Sequence, residues 1–193
     1  MRLKLILIGV GCVIVYFGWQ ELTLTRHAKA EPVEVSAADL ESGKIPDNCH
    51  VVVKDGLALY PASVYHYKKK KYSSGETNDS TRTTEVLYPV VSMNHPFSKA
   101  MASGTADDKA IESALSSVGI IVKTKRFGTI GSIPKKLAAP EKLQGLVLNH
   151  IEKLDGKDAD LLRSSFPRLD AAKVVIIEEG RAPKSLGGAI GMM

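Results

Sequence analysis

The sequence predicts an α+β fold: an N-terminal transmembrane helix, then one mixed, mainly antiparallel sheet domain with two or three helices. Three observations carry that expectation. The chain opens with Arg2 and Lys4 and then runs uncharged from Leu5 to Trp19. Short runs of β-branched and aromatic residues crowd the next part of the chain, while helical periodicity appears only later. The last clear element, Lys173 to Glu178, is a continuous apolar run with charged ends, as in a strand covered on both faces.

The opening segment is written as a membrane anchor. Its fifteen uncharged residues would rise about 22 Å as a helix, short of a hydrocarbon core of about 30 Å. Counting from Leu3 to Leu24 closes the gap. Leu5, Ile8, Val13, Val15 and Phe17 then face lipid, Lys4 snorkels, and Tyr16 and Trp19 suit the far interface. Two other readings compete. Ala28-Lys29-Ala30 fits a signal-peptidase pattern before Glu31, but the stretch after Trp19 is long and charged for a cleavage region. Cys12 as a lipid acceptor lacks the usual preceding aliphatic residue, and the apolar run continues past it. The cations at the start favour a cytoplasmic N-terminus, a single pass through the plasma membrane and a domain outside, periplasmic or extracellular.

The remaining chain divides into a linker (25–35), one globular domain (36–184) and an apolar Gly-rich tail (185–193). Ser36 is expected to cap a short helix from Ala37 to Leu40. Gly43 to Asn48 reads as a turn cluster and residues 49–54 as a strand. Asp55-Gly56 signals a hairpin into a second strand, Leu57 to Tyr67, with Pro61 marking an edge or bulge. A polar excursion, Lys68 to Thr83, separates it from a third strand, Thr84 to Ser92, where Pro89 again argues for an edge or bulge. The two arms form a long projecting hairpin.

Thr105 with Asp108 resembles a capping box opening a helix over Ala106 to Val118, with Ile111, Leu115 and Val118 as its apolar stripe and Gly119 as its stop. Strands follow near Ile120 to Thr124 and Leu146 to Ile151. A short helix near Asp158 to Ser164 turns Leu161 or Leu162 inward and stops at Phe166-Pro167. In the tail, Gly187 and Gly191 have GxxxG spacing, but nine residues are too few to span a bilayer. It reads as a frayed end, a segment dipping into an interface, or the opening of a second membrane helix.

Chemistry is sparse. The net charge of +5 suits an anionic surface or plain solubility. No basic patch interleaves with aromatics, which argues against nucleic acid. The five histidines, at 27, 50, 66, 95 and 150, show no HxH or HExxH spacing, so neither a metal nor a cofactor is expected. Cys49 is a buried small hydrophobe or a reactive thiol. Asp107-Asp108 suits a helix N-terminus, and Glu178-Glu179 reads as a solubilising end to a buried strand. Asp155, Asp158 and Asp160 lack the spacing of a calcium loop. No nucleophile elbow or phosphate loop is present. Asn78-Asp79-Ser80 matches a glycosylation sequon and marks an exposed loop.

The sharpest feature is Lys68-Lys69-Lys70-Lys71, followed by Tyr72 and, across the loop, Arg82. These are the expected contacts to anionic headgroups, another membrane protein or an acidic surface; a solvated tip or a guarded edge is the plainer account. Function is therefore expected to be non-enzymatic: an interaction or scaffold domain, as an accessory or assembly subunit of a membrane complex. The alternatives are an anchored hydrolase or transferase using His50, His66 or Cys49, and a ligand-sensing domain with an apolar cavity.

Overall fold

The computed structural model describes residues 11, 15, 27–67, 77–102, 117–140, 142–149, 156–166, 169 and 173–183. Among the described residues eight strands form one curled, mixed sheet, accompanied by three short α-helices. The strands are β1 (Val33–Ser36), β2 (His50–Lys54), β3 (Gly56–Ala58), β4 (Val64–Tyr67), β5 (Thr83–Ser92), β6 (Ile120–Thr124), β7 (Leu143–Val147) and β8 (Val175–Glu179). The helices are α1 (Ala37–Glu41), α2 (Pro96–Ala102) and α3 (Gly156–Ser165). The sheet order is β1-β2-β7-β8-β6-β5-β3, with β4 also on β5. Only β1 with β2 and β6 with β8 run parallel.

Asp55 explains the curl. It is the single residue between β2 and β3, which stand at nearly opposite ends of the sheet order. One residue spans at most about 7 Å between its neighbours, so the sheet must bend round to bring its ends together. Asp55 turns the corner at φ 55°, a left-handed conformation that Asp tolerates. The hairpin expected at Asp55-Gly56 is therefore corrected. β2 pairs with β1 and β7, and β3 pairs with β5. The turn chemistry was real, but the core draws the two arms to different partners.

The second expected strand is also broken. Pro61 sits in a 3-10 turn, Tyr60–Ala62, between β3 and β4. Pro89 is not at an edge: it lies mid-strand in β5, opposite Ile121 of β6. In an antiparallel strand a residue's N–H and C=O point to the same side. The Pro89 carbonyl accepts from Leu59 N at 2.9 Å, so its missing donor faces the break between β3 and β4, where no ladder bond is required.

Other elements shift or extend. Ser36 caps α1 as expected, its hydroxyl accepting from Ala38 N at 3.2 Å. The expected linker already packs: Ala28 is buried and β1 begins at Val33. α2, unforeseen, opens on Pro96 at the helix start, where a missing N–H is harmless. β7 begins at Leu143 rather than Leu146. α3 turns Leu162 fully inward, with Leu161 half-buried. Tyr88, Leu87, Ile120, Ile121, Leu146 and Ile177 form the heart of the core.

Several expectations lie outside the described residues: the helix over 106–118 apart from Ser117 and Val118, the tail, His150, Cys12, and the segment 1–24 apart from Gly11 and Val15. Leu5, Ile8, Val13, Phe17 and Trp19 are among them; Val15 is exposed. Among the described residues no helix is long and apolar enough to cross a membrane.

Candidate functional site

A cluster of chemistry-bearing side chains lies where α3 crosses β4, β5 and β6. His66 stands directly opposite Glu85 in the β4–β5 ladder. Lys123 stands opposite Leu87 in the β5–β6 ladder, one period along from Glu85 on the same face. α3 packs against β4 and brings Asp158 from its first turn, where the helix dipole favours a carboxylate.

The contacts close on themselves. His66 Nε2 lies 2.7 Å from Asp158 Oδ1, and the acidic partner assigns the proton to Nε2. Lys123 Nζ bonds Asp158 Oδ2 and Glu85 Oε2, each at 3.1 Å. Burial alone would lower the Lys123 pKa, but Asp158 and then Glu85 outweigh it and raise it. The ammonium therefore stays charged at neutral pH. His66, Glu85 and Asp158 place ligand atoms within 4.8 Å of one another, a spacing from which a metal could be held. Lys123 already supplies the cation there. Among the described residues no hydroxyl or thiol is bonded to the His66 ring; the Thr84 hydroxyl donates instead to the His66 backbone carbonyl at 3.2 Å.

The other candidate groups are engaged in holding the fold. His50 is buried, with Nδ1 3.1 Å from Lys29 O and Nε2 3.0 Å from the Gln144 amide nitrogen. Both contacts are met by the neutral Nδ1–H tautomer. His95 lies in the loop before α2 and is buried there; Nδ1 accepts from Phe97 N at 3.2 Å and Nε2 meets the Ser117 hydroxyl at 3.1 Å. Cys49 is fully buried, and burial first, then Asp47, push its thiol pKa up. That is the reverse of an activated thiol.

A second network sits at the end of β8. Glu179, read from sequence as a solubilising charge, is nearly buried. It pairs with Arg126 Nη1 at 3.0 Å and accepts from Tyr88 OH at 3.2 Å. Arg126 also donates to Tyr60 OH at 3.0 Å and lies 4.7 Å from the centre of the Phe127 ring. Burial, then the Glu179 charge, drive the Tyr88 phenol well above its usual range. The sequence signal for both networks was a charge set inside an apolar strand, as in Ile120-Ile121-Val122-Lys123 and Ile176-Ile177-Glu178-Glu179.

Of the residues expected to make partner contacts, Lys68, Lys69, Lys70, Lys71 and Tyr72 lie outside the described residues. Arg82 is exposed, and its backbone bridges to Thr129. Tyr67, at the end of β4, is exposed, with its ring 6.4 Å from that of Tyr65. Asn78 accepts from Ser80 and Thr81 in an exposed turn at the foot of β5. Asp158 and Asp160 belong to α3, where Asp160 faces Arg163 rather than a cation loop. No protein-family model, curated protein or solved structure matches this chain.

Proposed function

We propose that this chain is a non-enzymatic interaction or scaffold domain, held at the plasma membrane by residues 1–24 with its N-terminus in the cytoplasm. It acts as an accessory or assembly subunit of a membrane complex. One observation carries the reading: His50, His66, His95 and Cys49 are each engaged structurally, and no two of His50, His66 and Cys49 share a bond. The β4–β5 hairpin supplies the contact. Its arms end at Tyr67 and Thr83 in register, and Arg82 and Tyr67 are exposed beside the lysine run. The partner surface is acidic.

The test uses the full chain in mild detergent. Lys68, Lys69, Lys70 and Lys71 are changed together to Gln, and binding to solubilised membrane partners is compared at low and high salt. A lysine near an anionic surface contributes about 1 kcal/mol, so the change weakens low-salt binding by about two to three orders of magnitude. Screening over about 10 Å at 0.1 M ionic strength removes most of that difference. A variant that binds like the native chain at low salt refutes the hairpin contact. A mature membrane-fraction protein that begins at Glu31 refutes the tether.

A further inference from the structure

The end of the β6–β8 pair is built as a cationic cleft. β6 and β8 run parallel, with Lys123 opposite Glu178, so both strands release their chains on the same side. Thr124, Lys125 and Arg126 leave β6 there, and Glu179, Gly180, Arg181 and Ala182 leave β8. β7 runs the other way, so Lys142 enters from the same side. Together they line an open cleft of about 980 Å³, at the upper end of the range for small-molecule sites.

Its charges are divided by role. Both carboxylates hold an arginine in place: Glu179 takes Arg126 at 3.0 Å, and Glu178 takes Arg181 Nη1 at 2.7 Å. Arg126 is fixed further by Tyr60, and its partner Glu179 by Tyr88. A guanidinium has five donors, so Arg126, with one nitrogen on Glu179 and another on Tyr60, keeps N–H groups for a third party. Lys125 and Lys142 are exposed and have no carboxylate partner among the described residues. Among the described lining residues four cations thus stand with two carboxylates, a formal surplus of two positive charges.

We propose that this cleft binds a phosphate monoester. Such a group carries about −1.5 to −2 at neutral pH and three acceptor oxygens. It matches the charge surplus, and fixed guanidinium forks favour phosphate over point anions. The site is separate from the hairpin and does not depend on it. The same phosphate is presented by the headgroup of phosphatidic acid and by soluble phosphate esters.

Calorimetric titration of the full chain in neutral-detergent micelles tests the site with three probes: inorganic phosphate, glycerol 3-phosphate and a short-chain phosphatidic acid. Lys125→Ala with Lys142→Ala removes the two exposed cations without breaking a described ion pair. Lys99→Ala with Lys136→Ala removes the same charge from exposed positions that do not line the cleft. The cleft variant weakens phosphate-ester binding by about tenfold or more, the loss of two charge-assisted contacts, and the control by less than about twofold. Tighter binding of the lipid than of glycerol 3-phosphate assigns the ligand to the bilayer; equal binding assigns it to a soluble ester. No binding of any probe by the native chain overturns the proposal, as does an equal loss in the two variants.

Discussion

Replacing Lys123 by Met tests whether α3 is held on the sheet by a built-in cation. The methionine keeps length and apolar stem but leaves Asp158 and Glu85 facing each other. Their side chains are 6% and 16% exposed, and that of Lys123 is 21%. Breaking a buried pair costs about 3–5 kcal/mol and an exposed pair about 0–1 kcal/mol. This group is mostly buried, but His66 remains on Asp158, so the loss is about 2–3 kcal/mol. At an m value of about 2 kcal/mol/M, the urea midpoint falls by about 1–1.5 M with m unchanged. Amide exchange in α3 should accelerate before that in β5 and β6. The variant should also gain something. With the ammonium gone, His66, Glu85 and Asp158 offer one nitrogen and two carboxylates within 4.8 Å of one another, a donor set suited to Zn²⁺. Added zinc should raise the variant's midpoint and leave the native chain unmoved. A loss below about 0.5 kcal/mol, the range of an ordinary surface substitution, refutes the account. So does an equal zinc response in both proteins, since Lys123 would then not be holding the metal's place.

Two further outcomes follow from packing and titration. At Gly145, a Cβ would overlap the Glu178 carbonyl oxygen and lie 2.8 Å from its carbon; these are backbone atoms that cannot swing aside. Gly145→Ala must pry β8 from β7, at a cost of about 3–5 kcal/mol from overpacking and weakened ladder bonds; a urea midpoint close to native counts against this. With rising pH, stability should hold to about pH 8.5 and then fall. Cys49, Tyr88 and Lys123 all have raised native pKa values above ordinary ones of 9.0, 10.0 and 10.5. Each keeps its proton in the native state after the unfolded chain has lost it, so each contribution is complete below the ordinary value and declines above it. Cys49→Ala should flatten the earliest part of the decline, between about pH 9 and 10, by up to about 1.4 kcal/mol per pH unit; an unchanged slope there would show that the thiol is not the group responsible.

Local signals in the sequence were sound where a single element decides the outcome. Ser36 caps α1 and the run ending at Glu178 is a covered strand, whereas Pro61, read as an edge or bulge within one strand, stands in a 3-10 turn that divides it. They misled where the partner of an element matters. Asp55-Gly56 has the composition of a hairpin, yet Asp55 joins strands that pair elsewhere, because pairing is set by which apolar faces the curled sheet can cover. Pro89 reads as an edge residue until the break at Tyr60–Ala62 is seen beside it. The polar networks were hidden for the same reason. His66 and Asp158 are 92 positions apart, and Tyr88 and Glu179 are 91 apart. No spacing rule reaches across such intervals; the packing of α3 on β4 brings His66 to Asp158, and the β5–β6 and β6–β8 registers bring Tyr88 to Glu179.

The charge distribution gives the surface its meaning. Inside the sheet, Lys123 is matched by Asp158 and Glu85, as a group out of water must be; just past β6, half-exposed Arg126 is matched by Glu179. On the outside, Lys44, Lys54 and Lys135 also have carboxylate partners. The net +5 is therefore not spread over every basic residue. Lys125 and Lys142 share one cleft wall, and Arg82 stands where β5 emerges from the lysine-bearing loop. A domain that needed positive charge only for solubility would gain as much from a scattered excess. Under the two proposals above, the hairpin and the cleft each hold a local excess of positive charge, which would raise the field there and attract anionic ligands or partners.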